Sequence, residues 1–185
     1  PEAAYISQLE SLKSLDLSWT SVRDEGLAEL KSLPVLENLR MAHTPVGDEG
    51  LSHISQMQQL VTLDLEDTRI TDAGVASLAT MPNLKVLRLW YNDVGDAALE
   101  HVAQLAQLCE LFLWETEVTD AGLAHVGKLT RLTRLHFFAC DITDAGLEQL
   151  HDLKELRELN LVATNVTPDG VARLQRALPE AKIEY

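Results

Sequence analysis

The sequence predicts an α/β solenoid of seven 24-residue units, and three observations predict it. Leucine recurs at Leu12, Leu36, Leu60, Leu84, Leu108, Leu132 and Leu156, a constant step of 24 residues. With that leucine as position 1, several other columns keep the same step, which is how stacked repeats bury apolar faces against their neighbours. The hydrophobic period also switches within each unit, from two to three residues. At 185 residues and 46% hydrophobic content the chain can bury a sizeable core in a single domain.

Each element follows in order along the unit. Position 4 is leucine in all seven units, from Leu15 to Leu159, and position 6 reads Leu17, Met41, Leu65, Leu89, Leu113, Phe137, Leu161. That spacing of two predicts a short strand. Position 11 is Val or Ile throughout. Positions 16, 19 and 22, for example Leu123, Val126 and Leu129, are spaced as helical turns require. The last unit locates the helix start, since it reads Thr167-Pro168-Asp169-Gly170 where the others read Thr-Asp-Ala-Gly. Proline favours the first helical position, so Thr167 and the matching Thr71, Thr119 and Thr143 are expected N-caps. The Asp column that follows (Asp24, Asp48, Asp72, Asp96, Asp120, Asp144) then stands in the first turn. There a negative charge suits the helix dipole, so the column reads as structural. One glycine per unit at position 15, Gly26 to Gly170 but not in the fourth, is expected to permit close strand–helix packing.

The consensus LxxLxLxxTxVTDAGLxxLxxLxx resembles the leucine-rich repeat family along essentially the whole chain. The TDAGL segment and residues 139–147, ACDITDAGL, are similar to the ribonuclease-inhibitor-like and cysteine-containing subtypes of bacterial and F-box-associated repeat proteins. The resemblance implies a right-handed, horseshoe-shaped leucine-rich-repeat solenoid, with a parallel β-sheet on the concave face and short helices on the convex face. It also implies a protein-binding role. Thr at position 9, where the family often has Asn, can serve the turn through its hydroxyl. One domain is expected over 1–185: a partial repeat or N-terminal helical cap over 1–11, seven repeats over 12–179 and a C-terminal capping strand over 180–185. Ala3, Ile6 and Leu9 continue the helical columns backwards. The stretch from Leu178 onward is expected to break the 24-residue step.

Fifteen Lys and Arg against twenty-nine Asp and Glu leave a net charge of −14. Such a chain repels phosphate backbones and anionic lipid, so nucleic acid and membranes are poor partners. No apolar run is long enough to span a bilayer. The first ten residues, PEAAYISQLE, carry no basic start and no apolar stretch, which argues against a secretory signal there. Two cysteines are no disulfide framework and favour a reducing, cytoplasmic setting, or a host cytosol for a secreted effector fragment.

In the geometry the resemblance implies, positions 3, 5, 7, 8 and 10 face the concave side. These columns hold about a fifth of the chain but six of its nine aromatics: Trp19, Trp90, Tyr91, Phe112, Trp114 and Phe138. With strands about 4.8 Å apart, position 7 runs Trp90, Trp114, Phe138, Val162 as an apolar ladder of about 15 Å. The same columns carry ten acidic residues against four basic ones. Asp16, Arg40, Asp64 and Arg88 alternate at position 5 as a self-satisfying ion ladder. Asp93, Glu117 and Asp141 stand unpaired at position 10. The expected site is therefore anchored by Trp90, Tyr91, Phe112, Trp114 and Phe138, with Arg88, His136, Glu115, Asp67 and Trp19 as further contacts. The expected occupant is a protein or peptide that is basic and carries an apolar anchor. The alternatives are rings that merely stabilise the sheet, the recognition arm of a larger, ligase-type enzyme or effector, and a self-associating structural solenoid.

Enzymatic readings fare worse. His53, His101 and His125 share a helix-side column, but helices pack 8–10 Å apart and a metal needs ligands about 2 Å away. Ser18, His43 and Asp67 lie on successive units yet would form a triad on an open sheet without an oxyanion hole. Cys109 and Cys140 occupy columns too far apart for a disulfide, and no glycine-rich phosphate loop exists. The chain is accordingly expected to be a monomeric non-enzyme with no cofactor and no metal.

Overall fold

The computed structural model describes residues 9–185. Eight three-residue strands form one parallel sheet in sequential order: β1 (Ser14–Asp16), β2 (Asn38–Arg40), β3 (Thr62–Asp64), β4 (Val86–Arg88), β5 (Glu110–Phe112), β6 (Arg134–His136), β7 (Glu158–Asn160) and β8 (Lys182–Glu184). Every pairing is offset by 24 residues, Leu15 opposite Leu39 and Leu39 opposite Leu63. The expected final strand is present and keeps that step, with Ile183 opposite Leu159, so the break expected from Leu178 is confined to the residues before it. What changes there is the helix before it, which is longer and places Leu178 one residue late. Of the partial repeat or helical cap expected over 1–11, residues 1–8 lie outside the described residues.

A short helix alternates with each strand: α1 (Asp24–Leu27), α2 (Asp48–Ile54), α3 (Asp72–Ala76), α4 (Asp96–Val102), α5 (Asp120–Val126), α6 (Asp144–Leu147) and α7 (Pro168–Ala177). Three of them, α1, α3 and α6, tighten into a 3₁₀ turn at their C-terminal ends. Each is too short to persist alone, so its stability comes from packing one apolar side on the sheet. The core between the layers is one continuous column of leucine, valine and isoleucine, with Phe137 its largest side chain.

The predicted N-caps are in place. Thr71, Thr119 and Thr143 accept a hydrogen bond from the backbone N–H two residues on, and Thr167 from that of Gly170, with Pro168 in the first turn. The Asp column does more than oppose a dipole. Asp48, Asp96, Asp120 and Asp144 each accept from both the backbone N–H and the hydroxyl of the capping threonine one repeat further on. Asp24 and Asp72 bind the backbone N–H of Gly47 and Gly95, both at 2.7 Å. Each first-turn carboxylate thus staples its helix to the next helix N-terminus, where unpaired N–H groups need an acceptor.

That staple also corrects the reading of the position-15 glycines. A Cβ at Gly74, Gly122, Gly146 or Gly170 would collide with the carboxylate of the preceding repeat's Asp. The close approach is helix to helix, not strand to helix.

Candidate functional site

The site is built on β3 to β7 and on the turns that follow them. Trp90 and Trp114 project from position 7 of neighbouring repeats and stack, ring centroids 4.3 Å apart and planes within 5°. Phe138 continues the row against Trp114 at 5.7 Å. Phe112, at the end of β5, packs edge-on to Trp90 at 5.6 Å and to His136 at 4.7 Å. The guanidinium groups of Arg88 and Arg134 lie 5.1 and 5.3 Å from the Phe112 ring centre, a cation–π geometry. Neighbouring strands stand about 4.8 Å apart, so rings of this size on adjacent repeats must touch.

This packing corrects the expectation that Phe112 and His136 are open contact residues. Phe112 is only 3% exposed and His136 6%, because the rings and arginines around them close over the strand ends. Trp90, Trp114 and Phe138 are half-buried. The indole N–H groups of Trp90 and Trp114 are themselves covered and make no hydrogen bond.

Position 8 differs most from expectation. The repeat pattern predicts the sheet face for it, but all seven residues there, Trp19, His43, Asp67, Tyr91, Glu115, Ala139 and Ala163, adopt left-handed backbone with φ between 46° and 62°. None is glycine, so each carries roughly 1–2 kcal/mol of steric cost. The inter-strand ladder holds them there, since the N–H of Asp67 still donates to the carbonyl of Trp90 and that of Tyr91 to the carbonyl of Trp114. The turn throws position 8 outward at the end of the strand. Trp19 and Tyr91 are consequently the exposed aromatics of these columns, and Asp67 and Glu115 are exposed beside Tyr91 in the same column. Tyr91 has no partner in the ring stack.

Electrostatic order runs along position 3. Glu110, Arg134 and Glu158 stand on successive strands, and Arg134 donates to both carboxylates, at 2.8 Å to Glu158 and 3.2 Å to Glu110. The signal for it in the sequence is the alternation of charge at a 24-residue step. Hydrogen bonding to Arg134 holds the Glu158 carboxyl below its usual range, and the same bond raises the arginine. His136 Nε2 shares Glu158 at 3.0 Å. Burial outweighs that partner and pushes the imidazole below its ordinary value, with Arg134 adding to the effect.

The expected ion ladder at position 5 exists only around Asp64, which is 2% exposed and lies 3.4 Å from Arg40 and 3.8 Å from Arg88. Asp16 instead accepts from the backbone N–H of Ser18. At position 10, Asp141 is not free, since it accepts from Asn165 at 2.8 Å. Asp93 and Glu117 are exposed and in no ion pair among the described residues.

Of the discounted triad, His43 and Asp67 do meet, Nδ1 to Oδ2 at 2.8 Å. The other ring nitrogen faces Glu66 at 3.5 Å rather than a hydroxyl, so no nucleophile is activated. Cys140 is buried and bonds the Leu113 carbonyl, while Cys109 is a separate, partly buried thiol. Asn92 ties the turns of two repeats together, accepting from Thr68 and donating to the Leu65 carbonyl. No group of three or more potential metal ligands occurs among the described residues, and no helix there is long and apolar enough to cross a membrane.

The parallel sheet carries the same left-handed turn after each of seven strands and is faced by non-identical side chains. A family model described as a leucine-rich repeat region matches residues 3–178, and the chain belongs to that family. Its members generally act as protein–protein interaction modules. Among solved structures, an internalin (inlF) of Listeria monocytogenes is 22% identical with a TM-score of 0.79 over 97% of this chain and 49% of that one. Internalin C2 of the same organism is 29% identical with a TM-score of 0.76, covering 96% and 74%. A leucine-rich repeat protein of Leptospira interrogans is 21% identical with a TM-score of 0.57, covering 97% and 62%. The chain spans about half the length of the first of these. No curated protein matches the sequence.

Proposed function

We propose that this chain is a non-enzymatic recognition module that seats a segment of a partner protein on its concave face. The observation that carries the reading is the half-exposed row Trp90–Trp114–Phe138, bordered at the turns by Asp67, Asp93, Glu115 and Glu117. Rigid stacked rings offer contact area at low entropic cost, and tryptophan and tyrosine dominate binding hot spots. Asp93, Glu115 and Glu117, in no ion pair among the described residues, favour a basic segment with an apolar anchor. Phe112, His136, Arg88 and Arg134 then act beneath the contact surface, fixing the rings above them.

The aromatics of the row also stabilise the sheet, and the two roles are compatible. The TDAGL segments and the cysteine-containing unit at residues 139–147 support the ribonuclease-inhibitor-like subtype. The unpaired cysteines accord with a reducing, cytoplasmic compartment, and the chain acts as a monomer. Because the chain spans only half of one similar internalin, a second reading makes it the recognition arm of a longer protein.

The test is affinity capture followed by titration of the captured partner. Trp90→Ala with Trp114→Ala should weaken binding by about 30-fold or more, with the strand and helix signal of the wild type retained. Unchanged affinity in the folded double variant would overturn the site.

A further inference from the structure

Trp19 is 77% exposed, more than any other large apolar side chain described. It is nevertheless held in place. Its backbone sits in the left-handed turn at φ 62°. Its ring stacks on His43 with centroids 3.7 Å apart and planes 24° from parallel. His43 is in turn anchored from below, Nδ1 to Asp67 at 2.8 Å and Nε2 3.5 Å from Glu66. A tryptophan buttressed on one face by a carboxylate-bound imidazole keeps its other face open as a rigid platform.

Beside it lies an open depression of about 380 Å³ lined by Trp19, His43, Thr44, Pro45, Asp67 and Thr68, with Arg69 at its edge. The Asp67 carboxylate is 58% exposed and uses only Oδ2 for His43, so Oδ1 is available to a ligand. An indole face is electron-rich and attracts cations. Of cationic side chains, the planar guanidinium can lie flat on the ring while an edge N–H reaches a carboxylate.

We propose that Trp19, His43 and Asp67 form a seat for an arginine side chain of a partner protein, stacked on the open Trp19 face and paired with Asp67. The seat is distinct from the Trp90–Trp114–Phe138 row, which lies on later repeats. Arg69 is exposed and in no ion pair among the described residues. It lines the edge of the same depression, where its like charge works against the seat and is opposed by the Asp67 carboxylate.

The test uses the isolated chain and defined probes. Indole N–H resonances are followed by NMR during titration with acetyl-arginine amide, with Trp19→Phe assigning the Trp19 signal. The Trp19 resonance should move saturably while those of Trp90 and Trp114 stay still. Acetyl-citrulline amide, the neutral isostere, should bind at least about threefold more weakly, as should acetyl-arginine amide to Asp67→Asn. Acetyl-lysine amide should fall between the two. Equal response to citrulline, an unmoved Trp19 signal, or an unaltered Asp67→Asn titration would each overturn the proposal. Movement of Trp90 and Trp114 in place of Trp19 would move cation binding to the central row and refute the seat. Because no partner is involved, failure here leaves the central-row reading untouched.

Discussion

Two ladders run the length of this solenoid, one on each face, and they are built on opposite principles. On the helix side the same contact recurs at every junction, a first-turn Asp accepting from the cap of the next repeat. On the sheet side the contacts change from repeat to repeat. Asp64 lies between Arg40 and Arg88, then rings stack from Trp90 to Phe138, while Arg134 bridges Glu110 and Glu158. A helix N-terminus presents the same unsatisfied N–H groups each time, so one solution serves them all. The strand face makes no such demand. Repetition marks what the backbone requires, and departure from it marks where chemistry is free to vary.

The sharpest way to break that contrast is to crowd the repeated side. Gly122→Val drives a branched side chain into the Asp96 carboxylate and Leu99. It should cost about 3 kcal/mol in urea unfolding, whereas Glu117→Ala on the opposite face should change stability by less than about 0.5 kcal/mol. Similar costs at both sites would erase the distinction.

Removing an acceptor is the next step down. Asp120→Ala strands the N–H and hydroxyl of Thr143 and should cost about 2 kcal/mol. In a Thr143→Ala background the cost should shrink by about 0.5 kcal/mol or more; purely additive effects in that double-mutant cycle would show that the staple is not one unit.

The ladder can also be completed. Gly47 and Gly95 stand where other repeats have the capping threonine, in extended backbone that any residue adopts. A Cβ at Gly95 would meet nothing closer than 3.6 Å. Gly47→Thr and Gly95→Thr should each raise stability by about 0.5–1 kcal/mol, and a loss on thermal melting would contradict the capping account.

The smallest effect belongs to the sheet side. Burial lowers the His136 pKa from 6.5 in the folded state, so the unfolded chain binds its proton first. Stability contributed by neutral His136 is therefore full above about pH 6.5 and is lost as pH falls from there toward the lower folded value. Glu66 moves the opposite way, because burial and Asp64 raise its carboxyl. His136→Gln isolates the histidine: between pH 7 and 5 its stability should decline less than that of the wild type. Parallel declines would dissociate His136 from the acid response.

Much of this architecture was legible in the residues alone, and the misreadings share a cause. The apolar columns and the threonine caps are local patterns, written within one unit, and the single Pro168 sufficed to locate every helix start. The Asp column was read as a dipole effect because its true partner lies 23 residues away in sequence. Phe112 and His136 were assigned to an open surface by position number, but burial depends on which rings occupy the adjacent strands. Position 8 bears no glycine, so nothing in its composition announces a left-handed turn.

The sequence by itself therefore determined the period, the core columns and the caps, because each rests on spacing over a few residues and on the geometry of one strand or one helical turn. Only the tertiary structure decided what stands beside what at a distance of one repeat. Strands about 4.8 Å apart bring residues 24 apart into contact, and from that follow the Asp staples, the Trp90–Trp114 stack and the Trp19–His43–Asp67 unit. Where the side chains repeat, those contacts could be generalised from a single junction. Where they do not, shape and charge of particular neighbours had to be seen in place.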